Sequence, residues 1–359
     1  MTSVMVCCGV GGTGKTTTAA ALAVAHAMAG KRTVVLTIDP ARRLATALGV
    51  ELGNDPVPIA GLPPEAAPLA GLMLDRKGTW DALVRRYARD DAHAARLLAN
   101  PYYQSVATRL TGSHEYMAIE KLHELVESGA WDLVVLDTPP AQHVVDFFEA
   151  PERIEALLDK GAVSALLRPR SGLVGAATRR ALALVERLAG DQVMAGITEF
   201  FELFGELSVG LQSRSAAVAE LLRSDATRFL LVTDAGAPER SDALGFLEEL
   251  HRRRMRFHGF LVNRTAPRAS FARPLGATDL VRPPGLSDVA WADWERALLE
   301  VPRLAAERAR AHRENARALR DRAPDAAIWL VPEVPGGVRT LEGLVGLAGS
   351  LPPAPPTAL

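Results

Sequence analysis

The stretch VMVCCGVGGTGKTTTAA, residues 4–20, decides the fold class, and its glycines fit two phosphate-binding motifs. Gly9, Gly11 and Gly14 match G-x-G-x-x-G, which binds dinucleotides. Gly9 and Gly14, followed by Lys15 and Thr16, match G-x-x-x-x-G-K-[ST], the P-loop of nucleoside triphosphatases. Apolar residues 4–8 predict a buried strand, and an Ala-rich helix is expected to follow the glycines. Both motifs place a phosphate at the N-terminus of that helix.

Residues outside the glycines favour the P-loop. A dinucleotide site needs an acidic residue after the second strand, and Asp39 lies there, so a nicotinamide-dependent oxidoreductase stays an alternative. That enzyme has no use for the pair Lys15-Thr16, whereas a triphosphatase needs a lysine on the β/γ-phosphates and a hydroxyl on Mg²⁺. Asp137 ends another apolar strand, where a Walker-B carboxylate is expected. The sequence therefore predicts a P-loop NTPase.

Apolar, strand-like runs alternate with helical segments along most of the chain. Besides residues 4–8, strands are expected at 33–38, 132–136, 228–233, 259–262 and 327–331. Residues 51–71, rich in Pro, Gly and Ala, are expected to be irregular, and a long Arg-rich helix is expected at about 288–322. The helical pattern that precedes residue 127 is expected to break at Asn100-Pro101.

The alternation of strands and helices predicts an α/β fold, a mostly parallel sheet with helices on both faces. The helical stretches 79–127 and 151–224 are too long for simple crossovers, so we expect them to form an inserted helical subdomain. Residues 1–350 then make a single ATPase domain, and the Pro-rich residues 351–359 a disordered tail.

Composition excludes several other classes of protein. The chain has 359 residues, a formal net charge of −1 and a hydrophobic fraction of 48%, which is ordinary for a globular protein and argues against a nucleic-acid binder. A signal peptide and an apolar run long enough to span a membrane are both lacking, so a cytoplasmic protein is expected. The two cysteines, Cys7 and Cys8, are interpreted as small buried apolar residues.

Three segments in order carry a resemblance to a known family. They are the P-loop, TIDPARRLATALG at 37–49, and VVLDTPPAQHVVDFF at 134–148. With them, the chain resembles the arsenical-pump, or anion-transporting, ATPases, which include the tail-anchored-protein targeting ATPases. That family belongs to the dimeric partition and nitrogenase-iron-protein group of P-loop NTPases. LVNR at 261–264 and VPEVPGGVRTLEGL at 331–344 are similar to its adenine-binding segments.

The resemblance implies roles for individual residues. Lys15 would bind the β- and γ-phosphates of ATP, and Asp39 would position or activate the attacking water. Mg²⁺ would be ligated by Thr16, with Asp137 behind it and Asp39 also at the metal site. The remaining nucleotide contacts would come from Gly11, Gly12, Thr13, Gly14, Thr17, Asn263, Arg264, Pro332 and Glu333, with Asn263 reading adenine. Simpler roles, a helix N-cap for Asp39 and a turn residue for Asn263, stay open.

The function that the resemblance implies is Mg²⁺-dependent ATP hydrolysis coupled to movement. Nucleotide-driven opening and closing of a dimer would move the helical subdomain, which would bind a hydrophobic client or a membrane-associated protein. The dimer would be either a homodimer or a heterodimer with a paralogous ATPase. No nucleic-acid partner is expected.

Val10 departs from the family pattern, because the family commonly has a second lysine here that reaches the partner's phosphates. A paralogous subunit could supply that lysine, Arg42 or Arg43 could replace it, or hydrolysis could be slow. The alternative function is therefore an ATP-binding regulatory or client-binding subunit that is nearly inactive without a lysine-bearing paralogue. The lack of cysteines beyond Cys8 argues against arsenite, zinc or iron–sulfur binding through thiolates.

Two further features have a structural interpretation. One helical face of residues 197–211 carries apolar side chains, which predicts a packed core helix in preference to a client groove: Ile197, Phe200, Phe201, Phe204, Leu207 and Leu211. His143, in the segment that resembles a nucleotide switch, is interpreted as a switch or structural residue and not as a catalytic base.

Overall fold

A computed structural model describes residues 2–109, 113–138, 149, 191–236, 241–266 and 280–353. Its sheet has eight strands in the order β3-β4-β2-β5-β1-β6-β7-β8. The strands are β1 (Ser3–Gly9), β2 (Thr33–Thr37), β3 (Val57–Pro58), β4 (Leu69–Met73), β5 (Leu133–Asp137), β6 (Thr227–Asp234), β7 (Phe257–Thr265) and β8 (Ala327–Pro332). Only the short β3 pairs antiparallel with its neighbour, β4, and every other pair is parallel. The predicted, mostly parallel sheet is confirmed.

Helices in the described ranges surround this sheet. They are α1 (Lys15–Met28), α2 (Arg43–Leu48), α3 (Arg76–Tyr87), α4 (Asp91–Ala99), α5 (Pro101–Arg109), α6 (Ser113–Glu127), α7 (Asp191–Glu206), α8 (Ser208–Arg223), α9 (Ser241–Arg252), α10 (Asp288–Arg322) and α11 (Leu341–Ala348). Among them, none combines the length and the apolar character that a membrane span requires.

Two apolar cores lie on opposite faces of the sheet, because alternate residues of each buried strand point to opposite sides. On one face, side chains such as Val6, Leu36 and Val134 pack against α3 to α10. On the other face, Cys7, Val35 and Val135 pack against α1, α2 and α11. The prediction of helices on both faces is confirmed.

The long helical stretches are divided into shorter helices. The block predicted at 79–127 is four helices, α3 to α6, and the expected break at Asn100-Pro101 separates α4 from α5. Asn100 Oδ1 accepts a hydrogen bond from the backbone N–H of Tyr102 at 2.9 Å, which caps the start of α5. Of the second block, residues 151–190 lie outside the described residues, and α7 and α8 account for the rest.

The apolar face of residues 197–211 belongs to the core, as expected. Phe200, Phe204, Leu207 and Leu211 are at most 3% exposed, and the rings of Phe200 and Phe204 stack with centroids 5.3 Å apart. Phe204 also lies against Trp80 of α3. These side chains join α7 and α8 to the other helices on their face of the sheet, so they do not form an open groove.

Residues 51–71 were expected to be irregular. Residues 51–56 and 59–68 do lie outside helices and strands, but the prediction is wrong for β3 and for β4, which pairs along its whole length with β2. The strand LAGLM contains alanine and glycine, which have low strand propensity, so its sequence hides the strand. Gly71 has a packing reason, because a Cβ there would lie 3.0 Å from Leu48 and 3.1 Å from Leu52.

The ends of the ordered core also differ slightly from expectation. Leu351, which the sequence assigns to a disordered tail, is fully buried in the core beside α1 and α11. Residues 354–359 of that segment lie outside the described residues. Cys7 and Cys8 are fully buried, and burial raises the pKa of the Cys8 thiol to about 12, which keeps it protonated. Their interpretation as small core residues is confirmed.

His26 in α1 predicts a dependence of stability on pH. Burial lowers the pKa of His26 from 6.5 to about 4, so the unfolded chain binds this proton more readily than the folded chain does. Its contribution to folding is present above the unfolded pKa and is lost as the pH falls toward the folded pKa. We expect the free energy of unfolding to fall by about 2 kcal/mol from this group between about pH 7 and about pH 5.

Urea unfolding of the wild type and of His26→Gln at both pH values measures this difference. The His26→Gln variant should lose that part of the pH dependence. His251→Gln, at an exposed position, should keep it. Equal pH dependence in the wild type and His26→Gln would contradict the assignment.

Candidate functional site

The P-loop connects β1 to α1 at the carboxyl edge of the sheet. Three donors converge on the carbonyl oxygen of Val10: the backbone N–H of Thr13 at 3.5 Å, the Thr13 hydroxyl at 2.9 Å and Lys15 Nζ at 3.0 Å. Lys15 is only 8% exposed. Among the described residues, the hydrogen-bond acceptor of its ammonium group is this one carbonyl. A phosphate oxygen entering the loop would offer this ammonium group a stronger, charged acceptor.

Glycine is required at two positions of the loop because atoms of other segments come close. A Cβ on Gly9 would lie 2.2 Å from the carbonyl oxygen of Val232 in β6. Gly14 has φ +88°, and a Cβ there would lie 2.4 Å from the side-chain nitrogen of Asn263. Gly11 and Gly12 are exposed at the mouth of the loop. Close packing therefore explains the glycines at positions 9 and 14. At Gly11 and Gly12 the backbone of the loop is open to an incoming ligand.

Helix α1 begins directly after the loop, and no side chain caps its start. The first N–H groups of an α-helix have no partner within the helix, and the helix dipole gives them partial positive charge. Thr16 and Thr17 lie in this first turn and are half-buried. Together with the loop N–H groups, this end of α1 has the geometry of a phosphate-binding site.

Asp137 lies beneath the P-loop at the end of β5, next to β1 and β2. Its carboxyl is 1% exposed, and Oδ2 accepts a hydrogen bond from the Thr37 hydroxyl at 2.8 Å. Strand register explains the contact, because Thr37 of β2 and Cys7 of β1 both pair with Asp137. The other oxygen, Oδ1, is buried and has no hydrogen-bond partner among the described residues. A buried carboxylate oxygen without a partner is costly, which suits a position facing a bound cation or its water.

The charges around Asp137 act in opposite directions on its pKa. Burial raises the pKa of Asp137 to about 6, and the hydrogen bond from Thr37, the neighbouring Thr16 hydroxyl and the charge of Lys15 lower it. Burial also lowers the pKa of Lys15, whereas the charge of Asp137 raises it. A carboxylate and an ammonium group therefore stabilise each other's charge inside a site with little water.

No group of three or more His, Cys, Asp or Glu side chains among the described residues could hold a metal by itself. Mg²⁺ usually keeps several waters and binds through one or two protein groups plus substrate phosphates. The Thr16 hydroxyl and the unpartnered oxygen of Asp137 fit that kind of site.

Asp39 follows β2 at the same edge and has a partly open carboxylate. Oδ1 accepts a hydrogen bond from the backbone N–H of Ala41 at 2.9 Å, and Oδ2 lies 3.5 Å from Arg43. Its own N–H donates to the Thr37 hydroxyl at 3.2 Å, so Thr37 contacts both acidic residues. Asp39 does not cap α2 with its side chain, since the N-cap residue is Arg42. This side chain is 27% exposed, so water reaches it.

Asn263 lies near the end of β7 and reaches across to the P-loop. Its Nδ2 donates to the carbonyl oxygen of Thr13 at 2.8 Å, and its Oδ1 accepts from the backbone N–H of Arg264 at 2.9 Å. These two contacts fix the orientation of the amide and leave one N–H and one lone pair for another group. Asn263 lies within β7 and not in a turn, and its amide supports the P-loop, a role that the sequence did not predict.

The other residues expected near the base are Arg264, Pro332 and Glu333. They lie at the same edge of the sheet as Asn263, and Arg264 and Glu333 form ion pairs within the chain. Arg264 has a left-handed backbone, with φ +57°, and its guanidinium lies 3.5 Å from Asp234. Glu333 Oε2 accepts from Arg308 at 2.7 Å, and the backbone N–H of Glu333 donates to the carbonyl oxygen of Thr265. Pro332 pairs with Thr265 at the end of β8. The structure thus brings Arg264, Pro332 and Glu333 to one edge of the sheet.

Thr37 is the site residue that sequence reasoning missed. The signal in the sequence was a hydroxyl at the end of the otherwise apolar run VVLT, residues 34–37, two positions before Asp39. Thr138 is similar, since its hydroxyl donates to the carbonyl oxygen of Cys7 at 2.9 Å and ties β5 to β1 behind the P-loop. His143 lies outside the described residues.

Comparison with known proteins gives results consistent with this site. The model of the family described as "Anion-transporting ATPase" matches residues 2–202, which is more than half of the chain. The chain is 29% identical over 154 residues to ATPase GET3 of Malassezia globosa, which covers 43% of this chain and 44% of that protein. It is 29% identical over 177 residues to ATPase get3 of Aspergillus terreus, with 46% and 51% covered.

ATPase ASNA1 homolog 1 of Paramecium tetraurelia is also 29% identical, over 156 residues that make up 42% of this chain and 44% of that protein. The chain thus spans about half the length of the curated relatives it matches. The family match covers the P-loop, both acidic segments and helices α1 to α6. By this match, the chain belongs to the anion-transporting ATPase family.

Proposed function

We propose that this protein hydrolyses ATP with Mg²⁺ at the P-loop. The observation that carries the proposal is the buried, unpartnered Oδ1 of Asp137, placed beneath a P-loop whose lysine is held by one carbonyl. Both groups are desolvated and short of partners, and a magnesium–triphosphate complex would supply partners to both. A dinucleotide would give Lys15 no γ-phosphate and Asp137 no cation, so the oxidoreductase alternative is not supported.

The residues divide the chemistry between charge and position. Lys15 and the N–H groups at the start of α1 hold the phosphates and stabilise negative charge as the γ-phosphoryl group transfers. Thr16 and Asp137 would hold Mg²⁺, which neutralises phosphate charge when bound. Asp39 accepts a hydrogen bond from the attacking water and fixes its direction, since its free lone pairs face solvent beside Arg43.

Adenine recognition is assigned to Asn263, with Pro332 and Glu333 beside it. One N–H of the amide already supports Thr13, and the second N–H and the free lone pair of Oδ1 remain for the base. Asn263→Ala is expected to reduce the preference for ATP over GTP by about tenfold, because one or two hydrogen bonds to the base are lost.

Competition binding of the two nucleotides, with Arg296→Gln at an exposed position of α10 as the control, measures that preference. Loss of the Thr13 contact alone would weaken ATP and GTP equally. An equal loss for both nucleotides would therefore leave Asn263 as a P-loop support and contradict its role at the base.

The active form in this proposal is a dimer that closes over two nucleotides. The Val10 side chain is half-buried and uncharged, and its carbonyl, not its side chain, makes the P-loop contacts. Arg43 lies against Asp39, and Arg42 is 4.0 Å from Glu51, so each has a carboxylate in its own chain. Each arginine would therefore have to leave this carboxylate in order to replace a lysine from the partner.

Val10→Lys tests whether the missing charge limits turnover. We expect kcat to rise at least about tenfold, because a cation supplied in trans to a transferring phosphoryl group can contribute several orders of magnitude. Turnover per chain should also increase with protein concentration, as the dimer forms. Val10→Leu is the matched control and should leave kcat unchanged.

The same experiment addresses the alternative, a regulatory subunit that binds ATP and needs a lysine-bearing paralogue. A very low turnover of the wild type that rises sharply when such a paralogue is added would favour the alternative. Fast turnover by the isolated wild-type chain would exclude the regulatory alternative. An unchanged kcat in Val10→Lys would show that the missing charge does not limit turnover, which removes the reason for proposing a lysine-bearing paralogue.

Movement of the helices would follow from their connection to Asp137. Helix α6 leads directly into β5, which ends at Asp137. Arg214 of α8 binds Glu120 of α6 at 2.6 Å and also pairs with Glu127, which couples the two helices through buried charges. A shift at the nucleotide would therefore reach α6 and α8 together, and these helices would present the surface for a hydrophobic client or membrane-associated partner.

A further inference from the structure

A cavity of about 460 Å³ lies at the amino edge of the sheet, opposite the P-loop. The first residues of β1, β5 and β8 contribute to its lining, together with His26 of α1 and Pro352 beyond α11. Its volume falls in the range of small-molecule sites. Met5, the residue of β1 that lines the cavity nearest the P-loop, lies about 13 Å along the strand from Gly9, so a ligand here would not touch the nucleotide.

The polar lining of the cavity is basic. Lys31 and Arg228 are exposed at its opening, His26 and His258 lie further in, and the described residues that line it include no acidic side chain. The positive charge of Lys31 lowers the pKa of His26, and that of Arg228 lowers the pKa of His258, in addition to the larger effect of burial. Each of these cations therefore lies close enough to a histidine of the cavity for its charge to act on that ring.

His26 is the strongest indication of a ligand. It is 4% exposed, and neither ring nitrogen has a hydrogen-bond partner among the described residues. A buried imidazole without any partner is unusual, because each ring nitrogen is a good donor or acceptor. An acceptor atom entering the cavity would bind the N–H of this ring.

The remaining walls of the cavity are apolar. The Trp329 ring lies 5.3 Å from the His258 ring, centroid to centroid, and both border the cavity. Met5 and Pro352 are also part of the lining. Such walls favour a ligand with an apolar, planar body in addition to a charged group.

We propose that this cavity binds a small organic anion, a carboxylate or phosphate attached to an apolar body. The acidic group binds Lys31 and Arg228 at the opening and the N–H of His26 within, and the body packs against Trp329 and Pro352. The site is independent of the P-loop and of the nucleotide.

Histidine ring protons observed by NMR in the full chain give a local test. Benzoate, phenyl phosphate and the neutral benzyl alcohol are titrated separately, and the Cε1–H signals of His26 and His258 are followed. We expect both anions to shift these signals in a saturable way below about 10 mM, and the tighter of the two identifies the acidic group. Because His26 reports only its own surroundings, phenyl phosphate bound at the P-loop would not imitate this result.

Variants at the opening test the role of charge. Arg228→Gln and Lys31→Gln should each weaken anion binding at least about fivefold, because each removes a charge-assisted contact. Arg317→Gln, at an exposed position away from the cavity, should have no effect. Both substituted residues are exposed, so the fold should remain intact.

Three results would overturn the proposal. The first is the absence of any shift of the His26 signal with either anion. The second is equal binding of benzyl alcohol and the anions, which would make the cavity merely apolar. The third is unchanged anion binding in both Arg228→Gln and Lys31→Gln.

Discussion

Replacing Lys15 by alanine is expected to lower kcat for ATP hydrolysis by at least about 10²-fold to 10³-fold. Lys15 Nζ lies 3.0 Å from the Val10 carbonyl and is buried beside Asp137, so its charge acts in a site with little screening by water. The effect should fall on kcat more than on ATP affinity, since the N–H groups of the loop and of α1 still hold the phosphates. Steady-state phosphate release at saturating Mg·ATP measures it.

A matched control for this change is Lys77→Ala. Lys77 binds Asp81 on helix α3 at 2.6 Å and takes no part in the P-loop. This variant should hydrolyse ATP at the wild-type rate. Unchanged turnover in Lys15→Ala would show that hydrolysis takes place elsewhere in the chain, and the proposed function would fail.

Asp39→Asn is the second change with a large expected effect, a loss of at least about 10²-fold in kcat. Asparagine keeps an oxygen for the N–H of Ala41, which is 2.9 Å from Oδ1, so the turn after β2 should persist. What is lost is the negative charge and one acceptor toward the attacking water. The KM for ATP should change little, because Asp39 is placed to contact water and not the base or the α-phosphate.

Asp90→Asn provides a control with the same chemical change. Asp90 caps the start of α4, and its Oδ1 accepts a hydrogen bond from the backbone N–H of His93 at 2.7 Å. Asparagine is an equally good N-cap residue, and this position takes no part in the P-loop. We expect kcat within about twofold of the wild type. Equal losses in both variants would show that the effect of Asp39→Asn is not specific to catalysis.

Much of the fold was predictable because the buried parallel strands are apolar runs that alternate with helices. Residues 4–8, 132–136 and 327–331 were recognised in this way, and α10 was predicted with the bounds that the structure has. Strand β4 was missed, since Ala70 and Gly71 have low strand propensity, and Gly71 is required by its close packing against Leu48 of α2. The division of 79–127 into four helices was also missed, because only Asn100-Pro101 carries a strong local signal.

The candidate site was predictable where the chain itself carries the geometry. The P-loop is one such segment, because a strand, a glycine turn and a helix start follow one another within a few residues. Asp39 and Asp137 were predicted from their positions after buried strands, since the carboxyl ends of parallel strands meet at one edge. The acidic residues and Lys15 do lie together there.

The sequence by itself determined the parallel sheet, the P-loop and the acidic residues at its edge, because these follow from local spacing and from alternation of apolar runs. Only the tertiary structure decided that Thr37 holds Asp137, 100 positions away, and that Asn263 holds Thr13, 250 positions away. It also decided that His26 lies unpartnered in a basic cavity. These contacts depend on strand register and on packing between distant segments, and neither leaves a periodic signal in the chain.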